Sequence, residues 1–297
     1  SFQLETIRSF KPRVAVLLNL SPDHLDRYHS MEEYAQAKYR IAANQGMTDW
    51  FIGDLDDPYV AALDWRRGEA HVLARQLWFS LAKPDQAAMY LRDGTLIYAP
   101  PTGDPRPIPI VDRDRIPLPG EHNLRNAMAA LLAALAVGCE PAILREAVTA
   151  FEPMSHRLQR VDEIDGVSYV DDSKSTTPSS VIAALRTYDR PVVLIAGGRS
   201  KGTSFATMAE EIARRRVRAV VAIGEAAEEI LAGIQGTTAL VAASLAEAVD
   251  RARTLAHAGD VVLLSPGCAS FDMFTSAEAR GEQFAEAVAA LRTPAGA

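Results

Sequence analysis

Short apolar runs alternate along the chain with polar loops and amphipathic stretches. "RVAVLLNL" at 13–20 has the branched, continuous hydrophobicity of a strand buried on both faces, and "SPDHLDRYHS" follows it as a loop. At the opening, Phe2, Leu4 and Ile7 alternate with polar residues, which predicts the half-buried end of a strand closed by Glu5. No methionine precedes "SFQLET", so the start reads as a cut into a longer fold. Ser30 and Glu33 form a capping box for a helix running to about Gln45, and "WFI" at 50–52 is the next strand. From there to about residue 90 no pattern stands out. "MYLRDGTLIYAP" is a hairpin turning at Asp93-Gly94. Seven of the 17 prolines lie between Pro100 and Pro119, which predicts extended loop and sheet edge. "GEHNLRNAMAALLAALAVG" then reads as a helix ending near Gly138, and a second helix opens at Pro141.

The composition shifts near "EPMSHR", predicting two domains, 1–154 and 155–297. The second begins with a hairpin at Asp165-Gly166. Strands then alternate with helices: "PVVLIAGG", a helix from about Thr203, "RAVVAIG", a helix, "TALV", a helix from about Ser244, "DVVLLSPG" and a last helix to Leu291. Such repetition predicts an α/β fold with a mainly parallel, Rossmann-like sheet.

Charge and composition narrow the function. A net charge of −7 and a pI near 5.5 oppose a protein that grips nucleic acid through its phosphates. The one basic run, Arg214, Arg215, Arg216 and Arg218, is expected to close a helix with its cations in solvent. Two distant cysteines, Cys139 and Cys268, give no disulfide framework and fit a reducing cytoplasm. The apolar run "AMAALLAALAVGC" is well short of the roughly 20 residues that cross a bilayer, so no membrane partner is expected. Neither G-x-G-x-x-G nor G-x-x-x-x-G-K-[ST] occurs, which disfavours a nicotinamide-linked oxidoreductase and gives no signature loop for nucleotide phosphates.

Several residues are chemically out of place. Helical spacing puts Met31, Tyr34, Ala35, Ile41 and Ala42 on one apolar stripe, and Lys38 fills the slot between them. Either its head reaches water at the stripe's edge, or it is a working amine that carbon dioxide could convert into an oxygen ligand suited to Mg²⁺. His24 in the loop after 13–20 and Glu5 are further metal candidates, against the plainer reading of the histidine as a surface residue or a hydrogen-bonding cap. In "YVDDSKSTTPSS", Asp171, Asp172, Ser173, Lys174 and Thr176 precede a helix opening near Pro178, where hydroxyls and acids commonly serve as caps. Lys174 near that helix start calls for an anion. Lys201 in "GGRSKG" and Ser265 to Ser270 follow two other predicted strands; were the strands sheet neighbours, the three loops would share one rim and form an anion pocket. Cys268 reads as a small packing residue.

Taken in order, "SFQLE", "LSPDHLDRY" with "AKYRI", "LPGEHNLRNAMAA", "HRLQ", "DDSKSTT", "GGRSKGTSF" and "LLSPGCASFDMF" resemble the Mur ligases, and within them the branch that adds D-glutamate. The resemblance implies a central ATPase domain truncated at its amino end, without its phosphate-binding loop, followed by a Rossmann-like carboxyl-terminal domain. It implies ATP and Mg²⁺ as cofactors and UDP-N-acetylmuramoyl-L-alanine and D-glutamate as substrates, joined through an acyl phosphate in a cytoplasmic, monomeric enzyme of peptidoglycan synthesis. The chain by itself is then expected not to turn over, and a non-catalytic nucleotide or amino-acid binding module is the alternative. By the same resemblance Glu5, His24 and carbamylated Lys38 are the Mg²⁺ ligands. Asn123 and Asn126, with His156, Arg157, Asp172 and Lys174, face the nucleotide, and Arg157 neutralises phosphate charge. Thr176, Lys201 and Ser270 hold the D-glutamate carboxylates. Two positions depart from the family pattern: Thr177 stands where asparagine is common, and Ala277 where a phenylalanine is expected.

Overall fold

A computed structural model of the chain describes residues 1–22, 24, 27–63, 72–103 and 106–292. The chain folds as two compact units, Ser1–Glu152 and Pro153–Ala297.

In the first unit six strands form one sheet in sequence order: β1 (Val14–Leu17), β2 (Trp50–Asp54), β3 (Arg75–Ser80), β4 (Met89–Arg92), β5 (Thr95–Tyr98) and β6 (Ile108–Asp112). β1 to β4 are parallel and β4 to β6 antiparallel. Helices α2 (Met31–Tyr39), α3 (Pro58–Ala61), α4 (Glu121–Ala136) and α5 (Pro141–Thr149) accompany it, after a one-turn helix α1 (Phe2–Glu5). Alternation within β2 feeds both faces: Ile52 joins the core shared with Leu124, Met128 and Leu132 of α4, whereas Phe51 joins Ala15, Leu17, Val60 and Trp78 on the other side. The hairpin turns through Asp93 and Gly94, both at positive φ, and the proline-rich stretch supplies the edge strand β6, as its composition predicts.

Three expectations need correction here. Residues 2–5 form a helical turn rather than a strand end: the Leu4 and Glu5 N–H groups donate to the Ser1 carbonyl at 2.9 and 3.1 Å. Alternation over so few residues fits one helical turn as well as a strand. The helix opened by Ser30 ends at Tyr39 and tightens to a 3₁₀ turn over Arg40–Ala42, short of Gln45, whose side chain instead donates to the Pro12 and Trp50 carbonyls. The patternless stretch contains α3 and the buried strand β3.

The second unit carries a six-stranded sheet in the order β11-β10-β9-β12-β8-β7, from β7 (Gln159–Ile164), β8 (Val167–Asp171), β9 (Val192–Gly197), β10 (Val217–Ile223), β11 (Thr238–Val241) and β12 (Val261–Leu264). All pairs are parallel except the β7–β8 hairpin. The helices are α6 (Pro178–Leu185), α7 (Ala206–Arg214), α8 (Ala227–Ala232), α9 (Leu245–Leu255) and α10 (Ala277–Ala290). Successive β9 residues again serve opposite faces, Leu194 and Ala196 on one and Val193 and Ile195 on the other, so both faces of the sheet are covered. α7 starts at Ala206, three residues after the expected Thr203. Arg218 does not extend the helix-end basic run: it lies in β10 and its guanidinium donates to both Asp260 carboxylate oxygens, at 2.6 and 3.2 Å. Among the described residues no helix is long and apolar enough to cross a membrane.

Candidate functional site

Parallel strands deliver their following loops to one rim of a sheet, where ligands commonly gather. In the first unit the loop after β1 carries His24, held at a positive φ of 56°. Its ring lies 4.8 Å from Phe2 of α1 and 6.4 Å from Tyr34 of α2. Tyr34 is buried by helical spacing, and the half-buried Lys38 one turn later places its ammonium 5.4 Å from the Tyr34 ring centre. Glu5 at the end of α1 accepts from the Arg27 guanidinium at 2.5 Å and from the Tyr28 hydroxyl. Tyr28 in turn packs against Tyr34, with ring centres 5.3 Å apart and planes tilted by 50°. Hydrogen bonds from Arg27 and then Tyr28 hold the Glu5 carboxyl below its usual range, so it is ionised at neutral pH. Glu5, His24 and Lys38 are thus linked through Tyr34.

Among the described residues no three His, Cys, Asp or Glu side chains form a metal-binding group, and Lys38 makes no ion pair. With Lys38 as an ammonium, the set offers one hard oxygen donor, one imidazole and a cation, which does not suit Mg²⁺. With Lys38 as a carbamate it gains two oxygens and does.

Along the same rim, Asp57 accepts from the Leu20 N–H at 3.0 Å and joins the β1 and β2 loops. Asn123 and Asn126 lie one turn apart at the start of α4; Asn123 donates to the Pro119 carbonyl at 2.7 Å and Asn126 to the Asn123 side chain at 3.4 Å.

In the second unit β9, β12 and β8 are parallel neighbours, so the three loops singled out in the sequence meet. Arg199 and Ala269 exchange backbone hydrogen bonds at 2.9 and 3.0 Å, Gly197 donates to Pro266 at 2.8 Å, and Gly267 donates to Ser175 at 2.9 Å. Gly197 has φ 125°, and a Cβ there would stand 2.0 Å from the Ile223 carbonyl oxygen, so only glycine fits this crossing. The exposed Lys201 donates to Thr176 Oγ1 at 3.1 Å. Ser270, buried, adjoins the Arg199–Ala269 bridge, and its carbonyl accepts from the Met273 and Phe274 N–H groups. Of the two departures, Thr177 caps α6, donating its N–H to Ser180 Oγ at 3.3 Å, while the Ala277 carbonyl accepts from Ser173 Oγ at 2.7 Å.

Lys174 meets an anion supplied by the chain itself, the Glu278 carboxylate in the first turn of α10. That pair holds Glu278 down to about 2. His156, at φ 63°, joins its Nδ1 to Asp171 Oδ2 at 2.6 Å, and its carbonyl accepts from the Lys174 N–H at 3.1 Å. Gly281 of α10 lies against this pair: a Cβ there would stand 2.2 Å from His156 Nδ1 and 2.5 Å from Asp171 Oδ2. Arg157 is exposed.

Asp172 does not open toward a ligand as expected. Its carboxylate is buried and accepts from the Ser175 hydroxyl, from the Ser265 hydroxyl at 2.8 Å and from the Leu158 N–H at 3.3 Å. Burial pushes this acid up to about 6, against hydrogen bonds that act the other way. Below its unfolded value near 3.8 the acid is protonated in folded and unfolded chains alike and costs nothing. As pH rises from there through about 6, only the folded chain keeps the proton, so stability falls, by on the order of 2–3 kcal/mol in all. Asp172→Asn is therefore expected to remove this component from the pH dependence of unfolding between pH 4 and 7, measured by urea denaturation; an unchanged dependence would show that the carboxylate is already ionised in the fold.

Sequence reasoning missed Arg280, whose side chain is wholly buried and, among the described residues, hydrogen-bonds to no carboxylate. It donates to Ser173 Oγ at 2.9 Å, to the Ser173 carbonyl at 2.8 Å and to the Cys268 carbonyl at 3.2 and 3.3 Å. Burial brings its guanidinium down to about 10, still charged at neutral pH. The signal was present: Arg280 and Phe284 are four residues apart, and Val288 continues the same buried stripe. Cys268 is buried, as its packing role requires, and burial raises its thiol to about 12.

Residues 1–134 match the Mur ligase middle domain, and residues 156–268 match the Mur ligase glutamate ligase domain. A UDP-N-acetylmuramoylalanine–D-glutamate ligase of Pelotomaculum thermopropionicum is 42% identical over 98% of this chain, and one of Clostridioides difficile 37% identical over 98%. The chain spans 63% of the length of each of these relatives. Among solved structures, the fold matches MurF ligase from Thermotoga maritima in complex with ADP, with a TM-score of 0.64, 20% identity and coverage of 93% of this chain and 61% of that one. It also matches a pseudomurein peptide ligase type C from Methanothermus fervidus, with a TM-score of 0.70, 15% identity and coverage of 94% and 64%. With a middle domain and a glutamate ligase domain in the family's order, the chain belongs to the Mur ligase family.

Proposed function

We propose that this chain is part of an ATP-dependent ligase that adds D-glutamate to UDP-N-acetylmuramoyl-L-alanine in peptidoglycan precursor synthesis. The observation that carries the reading is the meeting of Lys201 and Thr176 on a rim made by three interlocked loops. An ammonium beside a hydroxyl suits a small dicarboxylate. The relatives bearing the D-glutamate ligase name support the choice of amino acid. Ser270 adds a further group at that rim.

In the reaction, an alanyl carboxylate oxygen bonds to the γ-phosphorus of ATP and ADP leaves. The D-glutamate amine nitrogen then bonds to the acyl carbon, phosphate departs with the C–O bond electrons, and the amine gives up a proton. Both partners of the first step are anions, so cations and oriented dipoles carry most of the catalysis. Arg157 and Lys174 serve phosphate charge, His156 keeps its ring oriented through Asp171, and Asn123 and Asn126 orient the nucleotide. Asp172 acts indirectly, by holding the loop of Thr176. Glu5, His24 and carbamylated Lys38 would hold Mg²⁺, which offsets phosphate charge when bound. The carbamate arises when the neutral Lys38 nitrogen bonds to the carbon of carbon dioxide and releases a proton. The enzyme works in the cytoplasm as a monomer, on small molecules and not on nucleic acid.

Lys38 gives a test that needs no turnover. Incubated with ¹³C-bicarbonate, the chain is expected to show a carbamate carbon resonance that Lys38→Ala lacks, and its Mn²⁺ affinity is expected to rise with bicarbonate only when Lys38 is present. A wild-type chain with no such resonance, or a variant that retains it, would remove the metal role of Lys38.

A further inference from the structure

The start of α4 is fastened to the sheet by a single guanidinium. Arg125 donates through one nitrogen to Asp54 Oδ2 at 2.7 Å and to Asp56 Oδ2 at 2.9 Å, and through another to Glu121 Oε1 at 2.8 Å. Asp54 ends β2 and is buried. Asp56 is itself fixed by the Ser80 hydroxyl and the Leu81 N–H at the end of β3. Glu121 is the first residue of α4. One side chain thus joins the carboxyl end of β2, the clamp at the end of β3 and the first turn of the helix. Burial opposes the charge, but the three carboxylates outweigh it and hold the guanidinium above its ordinary value. Asp57, one residue after Asp56, reaches Leu20 on the His24 loop.

Arg125 lies between Asn123 and Asn126 in sequence, and the turn it fastens presents both amides. Helix propensity does not require this arrangement, because an arginine on an exposed helix face is stable without any partner. We infer that Arg125 is a positioning residue: by locking the first turn of α4 to the ends of β2 and β3, it fixes the two asparagine amides for a purine nucleotide without touching that ligand. The inference rests on the nucleotide role given above to Asn123 and Asn126. Lysine is a poor substitute, since a single ammonium cannot present two donor faces to three carboxylates in a fixed plane.

The test compares the chain with Arg125→Met and Arg125→Lys, and with Arg292→Met, which removes an exposed ion pair with Asp162 as a control. Affinity for ADP with Mg²⁺ is measured by calorimetry, and the side-chain amide resonances of Asn123 and Asn126 by NMR without ligand. Both Arg125 variants are expected to bind ADP about tenfold more weakly than the control and to shift or broaden the two amide resonances. A purely structural role would lower the melting temperature and leave affinity and amide resonances unchanged, overturning the inference. Should the methionine variant not fold, the lysine variant decides. If the unsubstituted chain binds no ADP, the nucleotide reading fails, and the amide resonances still decide whether Arg125 positions the turn.

Discussion

Arg280→Met is expected to lower the stability of the second unit by about 3 kcal/mol, read from the midpoint shift in urea denaturation. The side chain lies at 0% exposure, and its donors satisfy the Ser173 and Cys268 carbonyls and the Ser173 hydroxyl. A buried acceptor left without a donor costs roughly 1–3 kcal/mol, and methionine leaves several. Part of this is offset because the cation no longer has to be desolvated. The loss outweighs the gain because the Ser173 and Cys268 carbonyls stay buried after the substitution and the nearby Asp171 and Asp272 carboxylates lose a favourable cation. Arg280→Lys should fall between, with fewer donors for the same acceptors. Methionine at full stability would mean that water or loop movement satisfies those carbonyls and that the guanidinium is not what holds the loops after β8 and β12 together.

Lys201→Ala should give the opposite profile, little change in stability and a large loss of ligand affinity. The lysine is exposed and donates to a single hydroxyl, so its removal should alter folding by only a few tenths of a kcal/mol. A charge-assisted hydrogen bond to a carboxylate is worth about 1.5–3 kcal/mol, so D-glutamate affinity should fall by about 10- to 100-fold in a calorimetric titration. Thr176→Val should lose less, because it removes a neutral partner. An alanine variant that binds D-glutamate as tightly as the parent chain would take Lys201 out of the carboxylate pocket.

The contrast between these two residues shows what the sequence could tell. One rule, a cation on an apolar helical stripe, picks out Lys38 in α2, and applied to α10 it would have picked out Arg280. Arg280 was passed over because its neighbours are alanine and glycine, which make a weak stripe until Phe284 and Val288 are counted. The glycine- and serine-rich loops after β8, β9 and β12 were legible as chemistry. Their meeting depended on a strand order, β9-β12-β8, that long-range packing decides. The Lys174–Glu278 pair spans 104 residues of sequence and left no local trace. Asp172 misled for a related reason: an acid ahead of a helix reads as a cap or ligand, and only its burial beside Ser175 and Ser265 shows that it organises the loops from beneath. The opening residues misled because a six-residue alternation carries no information about whether a partner strand lies alongside.

The most direct test of the account is the map of backbone amide shifts when D-glutamate is added to the isotopically labelled chain. The account predicts shifts confined to residues 174–177, 199–204 and 265–272, with L-glutamate causing markedly smaller ones. Shifts centred elsewhere, or equal responses to the two enantiomers, would contradict it.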